Sequence, residues 1–110
     1  MKATVVVLLD EAKMKAVVIW FDETKHHAPV LINKFEDEKV SKMINFADQR
    51  EIALITNTRI CESLHKNAKS RTIIPEKYFL DVAEILVVVM KSDGAKADIN
   101  NQLLDEIKKI

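Results

Sequence analysis

The 110-residue sequence predicts an α/β fold, a small mixed four-stranded sheet packed by about four helices in a single domain. Three observations carry this. Short β-branched and aliphatic runs of strand length stand at Thr4 to Leu9 and Lys15 to Phe21. Apolar residues switch to helical spacing after Glu36. A later stretch, Ile74 to Lys91, is long and apolar enough to be the packing centre of the chain. The domain is expected to span residues 1–93. Residues 94–110 are expected to form a tail helix packed on it or on a partner.

In order, the first two runs read as strands joined by a turn over Asp10 to Met14. Asp22 to Ala28 is a polar connection, and Pro29 opens a short strand, Val30 to Ile32, where a missing N–H does least harm. From Glu36 to Arg50, Val40, Met43, Ile44 and Ala47 share one face, with Glu36, Asp37 and Glu38 near the positive end of the helix dipole. Ile52 to Thr56 is a short strand, so strand, helix, strand suggests a right-handed parallel crossover. Asn57 or Thr58 caps a helix that buries Ile60, Cys61, Leu64 and Ala68. Lys66, Lys69 and Arg71 form a basic connection to the central helix.

Pro75 suits the first turn of that helix, where its missing N–H has no partner to lose. Phe79, Val82, Ala83, Leu86, Val89 and Met90 mark its apolar face; Lys77, Asp81, Glu84 and Lys91 mark the polar one. From Ile85 to Met90 the helix is apolar all round, and Val88 falls on the polar stripe, so something besides the main core is expected to cover this end. Ser92-Asp93-Gly94 is a break. Asp98 to Ile110 is a last helix with Ile99, Leu103, Ile107 and Ile110 on one side. Gly94 is the only glycine, so turns with positive φ are expected to use Asn, Asp or longer loops.

Composition excludes several classes of function. Lys plus Arg equals Asp plus Glu, 17 each, which predicts neither a nucleic-acid partner nor membrane-surface binding. The apolar runs are too short for membrane insertion. The opening residues run into Asp10 and Glu11 with no small-residue cleavage site, and a single cysteine suits a reducing compartment, so a cytoplasmic location is expected. One glycine permits neither a phosphate-binding loop nor a dinucleotide fingerprint. His26 and His27 are neighbours on an extended connection and point apart, which does not make a metal site. Cys61 shares a face with Leu64 and Ala68 and packs more simply as a small apolar residue. His65 has no partner that sequence can place beside it, and the pairs Asp10 with Glu11 and Asp105 with Glu106 read as surface charges. No catalytic residue, metal or cofactor is expected.

Ala28-Pro29-Val30, Lys34, Asp37-Glu38, Ala47, Asn57, Ile74-Pro75-Glu76 and Val82-Ala83-Glu84-Ile85-Leu86 keep an order and spacing from Val5 to Lys91 that resembles the cytoplasmic C-terminal domain of the FlhB/YscU family. These are the export-switch components of flagellar and virulence type III secretion systems. The resemblance implies a short relative without the family's membrane domain. Family members cleave themselves in an Asn-Pro-Thr-His turn between the first two strands. The matching positions are Glu11, Ala12, Lys13 and Met14, which lack the cyclising amide and the proline, so no autocleavage is expected.

The family's shallow apolar recess, by contrast, is kept. The matching residues are Ala28, Pro29, Ala83 and Leu86, and the resemblance implies that they dock export substrates (rod- or hook-type subunits) or export-gate proteins. Trp20 stands where the family usually carries a polar or basic residue. With Val88, it is expected to meet the tail helix or a partner, a homodimer being one arrangement. Phe35 replaces a family glycine. The implied function is a non-cleaving, export-switch-like binding domain located at the export apparatus. The alternative is a regulatory or structural interaction module unrelated to secretion, using Trp20 and the tail.

Overall fold

The structure is a computed structural model that describes residues 3–25, 27–91 and 99–110. His26, the Ser92-Asp93-Gly94 break and Asp98 lie outside the described residues. The elements run β1 (Ala3–Asp10), β2 (Lys15–Asp22), β3 (Val30–Glu36), α1 (Glu38–Gln49), β4 (Ala53–Thr56), α2 (Thr58–Asn67), β5 (Thr72–Ile73), a 3₁₀ turn (Glu76–Tyr78), α3 (Phe79–Lys91) and α4 (Asn101–Lys109). Among the described residues they form a mixed five-stranded sheet in the order β4-β1-β2-β3-β5, parallel between β1 and β4 and antiparallel elsewhere.

Helices cover both faces, which is why β1 and β2 are continuous apolar runs without alternation. Val5, Val7 and Leu9 with Ala16 and Val18 meet Met43 and Ala47 of α1 and Leu103, Leu104 and Ile107 of α4. Val6, Leu8, Val17 and Ile19 meet Ile60, Cys61 and Leu64 of α2 and Val82, Leu86 and Val89 of α3. β3 joins both layers by alternation, Leu31 facing one and Ile32 the other, and the β2–β3 register shifts between Val18 and Ile19. The bulge brings Ile32 and Phe35, three residues apart, to one face.

Several expectations are corrected. The sheet has a fifth strand, β5, only two residues long and pairing Thr72 and Ile73 with Leu31 and Val30. The third strand continues to Glu36 instead of stopping at Ile32. Asn33 and Lys34 look like loop residues but act as caps. Asn33 Nδ2 donates to the carbonyls of Ile107 and Lys108 at 3.2 and 3.4 Å, and Lys34 Nζ donates to those of His65 and Ala68 at 3.0 and 2.8 Å. Each satisfies the open C-terminal end of a helix on its own side of the sheet. The β3-α1-β4 crossover joins parallel strands, but β1 and β2 lie between them.

Positive φ falls on Met14, Asp37, Glu51 and Arg71, so exposed ordinary residues take the left-handed positions as well as an Asp. Phe35 is 2% exposed and fills the core under α1 and α4. The sharp reversal comes two residues later at Asp37, with φ 54 and ψ −123, which frees position 35 from needing a glycine.

The tail helix is expected on the domain or a partner, at Trp20 or at the all-apolar end of α3, and it takes the first of these two places. α4 packs on the Trp20 face of the sheet, opposite α3, and so does not cover the apolar end of α3. Leu80, Val87 and Val88 are 72, 46 and 62% exposed. The reason is area. α1 alone does not cover that face of β2 and β3, and α4 supplies Leu103, Leu104 and Ile107, with Ile99 and Ile110 at its ends. Leu104, left off the predicted apolar side, is 4% exposed.

Candidate functional site

The connection from β2 to β3 is shaped by Asp22. Its Oδ1 accepts from Thr24 N at 2.9 Å and from Thr24 Oγ1 at 2.6 Å, while Lys25 N donates to its carbonyl at 2.9 Å. An aspartate folding the following backbone onto itself is the expected turn chemistry where glycine is missing. The chain then reaches Ala28 and Pro29, both buried. β5 fixes them against α3. Ile74 N donates to Pro29 O at 3.0 Å, and the 3₁₀ turn that follows leads directly into α3. The strand absent from the sequence reading is thus the one that sets the proline beside the helix.

The four residues Ala28, Pro29, Ala83 and Leu86 come together on one groove of about 330 Å³. Ala28 and Leu86 are 4% exposed and lie low in it; Ala83 is exposed on the helix wall. Phe79 and Met90 extend that wall, and Phe21 at the end of β2 closes the far side. From Phe79 to Met90 is eleven residues, roughly 16 Å along a helix axis at 1.5 Å each. Glu23 and His27 supply a polar rim. The members that the sequence does not assign to the recess are Phe21, Glu23, His27, Phe79, Val87 and Met90. Val87 belongs to the all-apolar end of α3, a sequence signal that points to the groove once α4 is found elsewhere.

Glu11, Ala12, Lys13 and Met14 form the β1–β2 turn, all exposed. Lys13 N donates to Asp10 Oδ1 at 3.2 Å, Thr56 Oγ1 donates to Glu11 Oε1 at 3.1 Å, and Asp37 N donates to Met14 O at 3.0 Å. The Lys13 ammonium pairs with Glu62 of α2 and, through that hydrogen bond, holds the Glu62 carboxyl below its usual range. These contacts tie the turn to three neighbouring elements.

Trp20 packs against the apolar layer that α1 and α4 close, whereas Val88 stands exposed on the opposite side of the molecule. Cys61 is fully buried, its Sγ 3.4 Å from Leu8 O and 3.5 Å from Lys15 O, and burial pushes its thiol up to about 11. A thiol so held is protonated and unreactive at neutral pH. Among the described residues no group of three His, Cys, Asp or Glu is arranged to hold a metal, and no helix is long and apolar enough to cross a membrane.

The helix-covered mixed sheet is a fold shared with solved domains of FlhB and EscU. It superposes on the cytoplasmic domain of FlhB from Shewanella putrefaciens with a TM-score of 0.75 at 22% identity, covering 89% of this chain and 88% of that one. It also superposes on a singly substituted EscU C-terminal domain with a TM-score of 0.75 at 25% identity, covering 84 and 83%. The chain belongs to the FlhB HrpN YscU SpaS family, whose sequence model matches residues 1–89.

Relatives include the flagellar biosynthetic protein FlhB of Bacillus subtilis (strain 168), 27% identical over 77 residues. Another is FlhB of Helicobacter pylori (strain ATCC 700392 / 26695), 32% identical over 76 residues. The secretion system apparatus protein SsaU of Salmonella typhimurium (strain LT2) is 30% identical over 80 residues. These alignments take in 70, 69 and 73% of this chain but only 21, 21 and 23% of those proteins, so the chain spans about a fifth of their length.

Proposed function

We propose that this domain docks short hydrophobic segments of export substrates of the rod or hook type, or of export-gate proteins, in the α3 groove. It acts as a cytoplasmic component peripheral to a type III export apparatus and modulates export. One observation carries the reading: Ala28, Pro29, Ala83 and Leu86, far apart in sequence, share a single apolar groove. Such a groove favours an apolar side chain over a charged one, because an unpaired carboxylate left without water there has no compensating bond.

The test is a titration with a peptide from a rod or hook subunit. Binding is expected, and Ala83→Glu should weaken it by at least tenfold, roughly 1.4 kcal/mol. Because Ala83 is exposed, the circular dichroism of the variant should match that of the wild type. Unchanged affinity in a folded Ala83→Glu protein removes the groove from the account.

The same reading holds that the domain does not cleave itself. Glu11 carries a carboxylate engaged with Thr56 in place of a cyclising amide, and Ala12 follows it in place of proline. Intact mass after prolonged incubation should remain that of the whole chain; two fragments parting at Glu11/Ala12 would show the opposite. An interaction module outside secretion that uses Trp20 as its contact surface is not favoured, since Trp20 packs within the layer closed by α4.

A further inference from the structure

The groove along α3 is apolar on its helix wall and charged on the facing rim. From Phe79 to Met90 the helix lines it with apolar side chains alone. The rim comes from the β2–β3 connection, where Glu23 and His27 are exposed. Among the described residues Glu23 is the one acid that lines the groove, and neither lysine nor arginine does. Lys25 in the same connection, and Glu84 and Lys91 on α3, lie off the lining. The two acids of the connection differ in what they do. Asp22 commits its carboxylate to Thr24 N and Oγ1 and so folds the turn. Among the described residues no hydrogen bond or ion pair engages the carboxylate of Glu23, which leaves its charge for whatever enters the groove.

We propose that the groove selects, among short apolar segments, those that carry a lysine or arginine beside the apolar anchor, with the Glu23 carboxylate contacting that cation. The selection rests on the docking proposed above and narrows the class of segment admitted. A charge beside low-dielectric walls acts more strongly than the same charge on an open surface, because field lines concentrate in the cleft. The chain as a whole adds no net field, since Lys plus Arg equals Asp plus Glu, 17 each, so the discrimination is local to the rim. The apolar anchor sits between Ala83 and Pro29. The methylene stem of a neighbouring lysine or arginine adds apolar contact on its way to the rim, while its charged head stays in water beside Glu23. An acidic residue at that place sets two carboxylates together with no cation between them and is disfavoured.

Titration of the whole chain with three peptides tests this. All three share one apolar rod- or hook-subunit segment and differ only beside its anchor, which is flanked by lysine, glutamine or glutamate. At low salt the lysine peptide should bind tightest and the glutamate peptide weakest, each step being about two- to fivefold, the range of an exposed ion pair. The steps should shrink toward unity in about 1 M salt, where charges are screened within roughly 3 Å. Glu23→Gln should bring the three affinities together, and Glu23→Lys should reverse their order. Residue 23 is exposed, so both variants should keep the circular dichroism of the wild type. Equal binding of all three peptides to the wild type overturns the charge selection and leaves the docking standing, as does an unchanged order in a folded Glu23→Gln protein. Binding of none of them overturns both.

Discussion

His65 shows how one buried side chain sets a pH limit on this fold. Its side chain is 10% exposed, and Nε2 lies 3.4 Å from Glu36 Oε1 without hydrogen-bond alignment. Burial pulls its pKa below the ordinary 6.5; Glu36 opposes this, and Lys15 and Lys34 reinforce it. The folded chain therefore holds the imidazole neutral where the unfolded chain already binds a proton. Stability from this site is complete above about pH 6.5 and is lost as pH falls through the lower folded-state pKa. The urea midpoint should drop between neutral and mildly acidic pH, and His65→Gln should flatten that drop; equal slopes in the two proteins would remove His65 as the cause. From sequence, His65 has no partner at all. Glu36 reaches it only because β3 runs four residues further than its hydrophobic pattern suggests.

At the scale of elements, α4 has the most to explain. Its amphipathic pattern is legible in the sequence, whereas its start is set by the Asn100 cap, whose Oδ1 accepts from Leu103 N at 2.9 Å and which the sequence reading places inside the helix. Its seat is not legible, because two apolar surfaces compete for it: the exposed side of α3 and the Trp20 face of the sheet. The Trp20 face offers more than apolar area. Asn33 caps the end of α4, and Arg50 Nη2 donates to Glu106 Oε2 at 2.6 Å. Ile107 is fully buried there, so Ile107→Ala should cost about 2–5 kcal/mol in chemical denaturation. It should also red-shift the emission of Trp20, the sole tryptophan, as water enters beneath α4. A cost below about 1 kcal/mol with unchanged emission would show that α4 does not close this layer.

For the whole molecule, the sequence by itself determined the class of fold and most of its elements. Runs such as Thr4 to Leu9, the Asn57 cap and the 3.6-residue period around Val82 and Leu86 are local signals, and backbone geometry converts each into structure without reference to distant residues. The four groove positions are expected from family resemblance alone, and in the structure they line one groove. Tertiary structure alone decided two things: the face that receives α4 and the two-residue β5 that holds Pro29 beside α3. Each depends on residues distant in the chain competing for the same surface or the same backbone partner. That competition is settled by total buried area and by the pairing of every buried N–H and C=O, and neither sum can be taken over a local window of sequence.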